Sequence, residues 1–104
     1  MESDLPKTIT AHEILKEADD IRGQRGSVYG HPWTNHLRIS KLWSAYLDIP
    51  ITPDQVAVCM ALVKVSRIAE TPGHRGRDGY TDGVAYLALA AQLATTDPTE
   101  FDAY

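Results

Sequence analysis

The 104-residue chain has a single cysteine, which excludes an intramolecular disulfide framework and a multi-cysteine zinc site and suits a reducing compartment. It has no long hydrophobic run: the longest apolar stretches lie within Gln55–Val63 and Gly83–Leu93, too short to span a bilayer. Its first residues, MESDLPKT, are acidic and lack the apolar core of a signal peptide, so a soluble cytoplasmic domain is expected. His12, His31, His36 and His74 lack a tight pairing such as His-x-x-x-His, and Cys59 sits in an apolar stretch, which speaks against zinc. No serine–histidine–acid arrangement or reactive cysteine stands out. A chain of this length holds one compact domain, with no room for a second core.

What is present is charge arranged in blocks beneath a net −4. Residues 1–20 carry two bases and six acids, whereas residues 21–47 carry Arg22, Arg25, Arg38 and Lys41 with no acid. Residues 64–77 set Lys64, Arg67, Arg75 and Arg77 against Glu70, and residues 78–104 carry five acids and no base. An acidic chain with two basic segments suits a small anionic ligand better than duplex DNA, which wants a broad basic face.

Periodicity and capping signals predict an all-α fold, a compact bundle of about four helices over residues 10–94, with an N-terminal arm (1–9) and a C-terminal tail (95–104). Thr10-Ala11-His12-Glu13 is a capping box flanked by the staple pair Ile9 and Ile14, and Ile14, Leu15, Ala18 and Ile21 continue as one stripe that Gly23 is expected to end. Pro32 opens helix two after a loop over Gly23–His31, and Leu37, Ile39, Leu42, Trp43, Tyr46 and Leu47 form its apolar face, which places Trp43 and Tyr46 in the core. Helix three starts at Thr52-Pro53-Asp54-Gln55 and is stopped by Thr71-Pro72-Gly73. A glycine- and arginine-rich loop is expected over 73–80, with Thr81 capping a fourth helix from Asp82 to about Ala94. Helices three and four are apolar nearly all round, and a domain of this size surrounds one such helix, hardly two. One of them is therefore expected to bury a second face against another copy of the chain, making a homo-oligomer.

The stretch Arg25-Gly26-Ser27-Val28-Tyr29-Gly30-His31-Pro32 is the most unusual. Its glycines let backbone amides face an anion, Arg25 and His31 supply charge, Tyr29 a flat ring, and the stretch runs into a helix N-terminus. A tight turn with Tyr29 packed inward explains the same residues. Trp33, beside this loop, is a candidate for stacking on a base, with Tyr80 next, and Asn35 either reads a base edge or caps the helix start. Lys64 and Arg67 lie one turn apart at the end of an apolar helix, where cations serve the helix dipole or meet an anion. Asp78 and Asp82 either clamp that pair internally or take a divalent metal or ribose hydroxyls, and pairing is the safer assignment for Asp82. Glu13, Glu17 and Asp20 share one side of helix one, a solvated face or, with Asp78 and Asp82, a carboxylate cluster for magnesium.

The order YGHP (29–32), Asn35, LWSAYL (42–47), ITPDQVAVCMALVKVSR (51–67) and DGYTDGVAYLALA (78–90) resembles a family of small uncharacterised proteins of tailed phages and prophages, over residues 10–94. More distantly, the tyrosine–glycine, lysine-x-x-arginine and paired-aspartate pattern is similar to phage nucleotide-modification-associated helical domains and to all-α nucleoside triphosphate pyrophosphatases of MazG type. Those enzymes bind magnesium through two acidic pairs on adjacent helices, and this chain departs from them, offering only Glu17-x-x-Asp20 in that form. A nucleotide-sized pocket without catalysis is what the resemblance then implies, and the phage setting implies a sponge that sequesters a nucleotide immune signal, a cyclic oligonucleotide or an ADP-ribose derivative. In that reading Arg25, His31, Lys64, Arg67, Arg75 and Arg77 neutralise phosphates, Tyr29 and Trp33 stack, and Gly30, Asn35 and Asp78 complete the site, with no cofactor or metal. Two other readings compete: a magnesium-dependent nucleotide hydrolase built on Glu13, Glu17, Asp20, Asp78 and Asp82, and an adaptor whose apolar helices engage a host protein.

Overall fold

The structure, a computed structural model, describes residues 7–29 and 32–97, with residues 25–29 described by their backbone alone. Four helices account for most of it: α1 (Ala11–Tyr29), α2 (Pro32–Leu47), α3 (Pro53–Glu70) and α4 (Arg77–Thr95), with a 3-10 turn over Gly73–Gly76 between the last two. Among the described residues there is no strand, as the sequence pattern predicts for an all-α chain.

Local signals set several helix ends. Thr10 Oγ1 accepts the Glu13 N–H at 3.1 Å at the start of α1. At α3 the capping box forms, with Gln55 Oε1 accepting the Thr52 N–H at 2.9 Å and Pro53 at the first helical position. The chain turns out of α2 at Asp48, which takes the left-handed conformation (φ 57°). Ser44 fastens that turn, its Oγ accepting the Ile51 N–H at 2.8 Å and donating to the Ile51 carbonyl at 3.3 Å.

Two expected ends lie elsewhere. Gly23 does not stop α1, which runs on to Tyr29 and takes up most of the expected loop. Nothing lies within 4 Å of where a Gly23 Cβ would stand, and one exposed glycine within a helix costs only about 1 kcal/mol, too little to end it. Thr81 is not the cap of α4, because the 3-10 turn feeds directly into a helix that begins at Arg77. Gly73, at φ 74°, makes the entry to that turn, and its N–H donates to the Tyr80 hydroxyl at 3.3 Å. Gly76 closes the turn so tightly that a Cβ there would collide with the Thr71 carbonyl oxygen.

The helices form two layers in a molecule measuring 59 × 28 × 21 Å. One layer is the antiparallel pair α3–α4, the most extensive helix contact of the fold. Gly79 and Gly83, one turn apart on α4, allow the approach: a Cβ on Gly79 would stand 3.0 Å from Ile68 Cγ1, and one on Gly83 3.7 Å from Lys64 Cβ. In the second layer α1 lies along the first part of α4, and α2 packs mainly against α3, with Trp33 reaching the end of α4. Glu17 meets Arg77 and Thr81, Ile21 and Arg22 line a niche with Asp82, Ala85 and Tyr86, and Trp33 packs with Leu89, Ala90, Leu93 and, from α3, Ala57.

The side of α2 that is buried differs from the expected one. Trp33, His36 and Ser40 face inward, with Leu37 against the core, while Leu42 and Leu47 are exposed and Tyr46 is 88% exposed. The helix has apolar side chains on both sides, and the Trp33 ring decides which of them is covered. Ser40 fits the buried side by donating to the Leu37 carbonyl at 2.8 Å, and His36 Nδ1 bonds the Pro32 carbonyl at 2.9 Å.

Candidate functional site

An open cleft of about 520 Å³ lies between the end of α3, the 3-10 turn and the start of α4. Lys64, Arg67 and Glu70 enter it from successive turns of α3, Arg75 from the turn, and Asp78 and Asp82 from α4. Thr71, Gly76 and Gly79 complete the wall, and the missing side chains at 76 and 79 leave room that larger residues would fill.

Three cations and three carboxylates line this cleft, and they are unequally engaged. Lys64 Nζ and Asp82 Oδ2 form an ion pair at 3.0 Å, with both side chains under one-fifth exposed. Among the described residues no ion pair engages Arg67 or Arg75. Two guanidinium groups are thus available for a planar oxyanion, each with a fork of donors matched to carboxylate or phosphate. Glu70 and Asp78 stand on the same walls and, as carboxylates, accept hydrogen bonds only, so the cleft presents cationic donors and anionic acceptors side by side.

The remaining site candidates fall outside the cleft. Arg77 lies on the seam between α1 and α4: its Nε donates to Glu17 Oε1 at 2.9 Å, and its Nη2 donates to the same oxygen and to Glu13 Oε2 at 3.2 Å. The buried Thr81 hydroxyl donates to Glu17 Oε2 at 2.9 Å. Bonds from Arg77 and Thr81 hold the Glu17 carboxyl below the ordinary carboxylate range, and Glu17 in turn raises the Arg77 guanidinium above its ordinary value. Trp33 is 7% exposed within the apolar core, so its ring is packed rather than open for stacking. Asn35 is exposed on α2, away from the cleft. Arg25 and Tyr29 belong to the last part of α1, with their side chains not described, and Gly30 and His31 lie outside the described residues.

The five carboxylates of the hydrolase reading are divided. Glu13 and Glu17 are held by Arg77, and Asp82 is held by Lys64. Among the described residues no group of three or more His, Cys, Asp or Glu side chains is placed to hold a metal ion. Glu70, Gly76 and Gly79 line the cleft without having been singled out in the sequence, and Gly83 stands one turn beyond Gly79. The signal for Gly79 and Gly83 was their four-residue spacing, which puts both on one helix face.

Fold and cleft together define a small all-α protein with a charged, ligand-sized cleft between its two central helices. The chain belongs to the family described as Domain of unknown function (DUF6378), which matches residues 13–94, from the first turn of α1 to the last turn of α4. It is similar to the Gene 55 protein of Mycobacterium phage D29, 40% identical over 84 residues that make up 80% of this chain and 54% of that protein. It is also similar to the Gene 55 protein of Mycobacterium phage L5, 44% identical over 82 residues, 77% of this chain and 51% of the relative. The chain therefore spans about half the length of the curated relatives it matches, and both are phage proteins, in keeping with the resemblance noted in the sequence. No solved structure matches it. Among the described residues no helix is long and apolar enough to cross a membrane.

Proposed function

We propose that this chain is a phage-encoded nucleotide-binding protein that holds its ligand without chemical change, sequestering a nucleotide immune signal of the cyclic oligonucleotide or ADP-ribose type. One observation carries the reading: Arg67 and Arg75, neither engaged in an ion pair among the described residues, share one 520 Å³ cleft with Asp78. A volume of this size falls within the range of small-molecule sites, about 300–1,000 Å³. Arginine forks bind the phosphates, Asp78 and Glu70 accept from ribose hydroxyls or base N–H groups, and the Lys64–Asp82 pair fixes the floor. Arg77 is left out of the ligand shell because Glu13 and Glu17 already satisfy it. The relatives' phage origin supports the setting, and action as a homo-oligomer in the host cytoplasm belongs to the same proposal.

Native mass spectrometry against a panel of cyclic dinucleotides, cyclic trinucleotides and ADP-ribose derivatives tests it, with overnight incubation in magnesium as a second arm. Intact ligand on the protein is the expected result, and replacing Arg67 and Arg75 together by alanine weakens binding at least about tenfold, the scale of lost charge-assisted hydrogen bonds. Cleaved product moves the protein to the hydrolase class. Binding of no nucleotide at micromolar concentration ends the proposal and leaves the adaptor reading.

A further inference from the structure

The layer of α1 and α2 covers one side of the α3–α4 pair, and among the described residues nothing covers the opposite side. On α3, Val58, Leu62 and Val65 point outward along one stripe, with Leu62 at 59% exposure. On α4, Val84 is half-buried, Leu87 is 55% exposed and Ala91 is exposed. The register of the pair, fixed where Lys64 meets Asp82 and Gly83 and where Ile68 meets Gly79, brings the two stripes level. By that register Leu62 comes level with the turn from Val84 to Leu87, and Val58 with the turn from Leu87 to Ala91, so the two stripes run as one face. No charged residue occurs from Gln55 to Val63 or from Gly83 to Thr96.

We infer that this face is where two copies of the chain meet, α3–α4 against α3–α4 about a two-fold axis. Three considerations select a second copy as the occupant. Two helices of 18 and 19 residues present a face about 27 Å long and about 20 Å wide, on the order of 500 Å² per copy, so that a symmetric pair reaches the roughly 1,000 Å² that a specific interface requires. The six apolar side chains at the centre of the face offer no charge with which to choose a charged partner, whereas a two-fold contact sets each apolar stripe against its own equivalent. Finally, among the described residues this face gathers Val58, Leu62, Val65 and Leu87, all exposed large apolar side chains, the composition of a core cut in half. The exposed side of α2 differs: Leu42, Tyr46 and Leu47, with Ile49 just beyond, belong to a single helix and its exit, among exposed Asn35, Arg38 and Lys41.

The inference deepens the homo-oligomer part of the proposed function and is independent of its ligand part, and it makes a geometric statement about the cleft. Arg67 lies nine residues from Val58, and Asp78 nine from Leu87, a rotation of about 180° around each helix. The cleft therefore opens on the side away from the contact, and each copy carries a complete one.

Sedimentation velocity on the purified full chain, with no ligand added, tests the inference. The wild-type chain runs at twice its 11.5 kDa mass at micromolar concentration, and Leu62→Glu and Leu87→Glu each convert it to a monomer of unchanged far-ultraviolet helicity. Leu42→Glu on α2 leaves the dimer intact. Should either glutamate unfold the chain, Leu62→Ser or Leu87→Ser replaces it, with a dissociation constant raised at least tenfold. A monomeric wild type, a dimer indifferent to both positions, or a dimer broken by Leu42→Glu overturns the inference.

Discussion

Helix α4 meets its covering layer in two ways. At its start Arg77 and Thr81 face Glu13 and Glu17 of α1 through four hydrogen bonds, and at its end Leu89, Ala90 and Leu93 close around Trp33 of α2. The first contact is directional and half open to water; the second is apolar and closed. Directional contacts set the register of α1 on α4 at small net gain, because exposed ion pairs exchange water for protein partners nearly evenly. Apolar closure supplies most of the free energy without fixing register so sharply. The lesson is a division of labour along one helix, with placement at the cleft end and stability at the other.

The sharpest way to break this contrast is at the apolar end. Trp33→Ala should destabilise the fold by about 3–5 kcal/mol and Leu89→Ala by about 2–5 kcal/mol, read from urea midpoints with unchanged slope. A loss below about 1 kcal/mol at both positions would move the core elsewhere. Thr81→Val, at the polar end, removes one donor to Glu17 from a buried position and should cost about 1 kcal/mol.

Acid separates the two ends further. Burial holds the His36 imidazole below its ordinary value, with the bond to the Pro32 carbonyl opposing and nearby Arg22 adding to the shift. The unfolded chain therefore binds a proton that the folded one refuses, and stability falls as pH drops below about 6.5, the ordinary histidine value. The Glu17 carboxyl is also held low, and its contribution is present above the ordinary carboxylate range and lost as pH falls through the folded value. Thermal melts against pH should show two declines, the first removed by His36→Phe and the second reduced by Glu17→Gln. A single decline unaffected by either substitution would refute the assignment. The smallest effect expected is that of salt: 1 M sodium chloride should lower the melting temperature of the wild type slightly more than that of Arg77→Met, since only the wild type has the seam to screen.

What could be read in the sequence was what neighbours along the chain decide. The Thr52–Gln55 box and the prolines at 32 and 53 announced helix starts through contacts three residues long, and these helices begin there. The acids of α1 were visible as one side of a helix, but Arg77, sixty residues from Glu17, was not visible as their partner, and it was assigned to phosphate instead. Tyr46 was misplaced for the same reason, since a helix that is apolar on two sides leaves the choice of buried side to other helices. Trp33 looked like a ring beside a loop, and became core once α1 continued past Gly23 and brought α2 down on α3 and the end of α4. Lys64, Arg67, Arg75 and Asp78 were all named from the sequence, yet their meeting in one cleft depends on the close approach of α3 and α4.

That approach rests on two atoms that are missing. A Cβ at Gly79 would stand only 3.0 Å from Ile68 Cγ1, closer than ordinary contact, and one at Gly83 3.7 Å from Lys64 Cβ, so the pair acts as a gauge for the distance between the helices that wall the cleft. A methyl group at 83 meets ordinary contact, whereas one at 79 wedges against Ile68 and pushes the walls apart. One small residue on α4 therefore sets the width of the cleft, and with it the reach across which Lys64 and Asp82 pair.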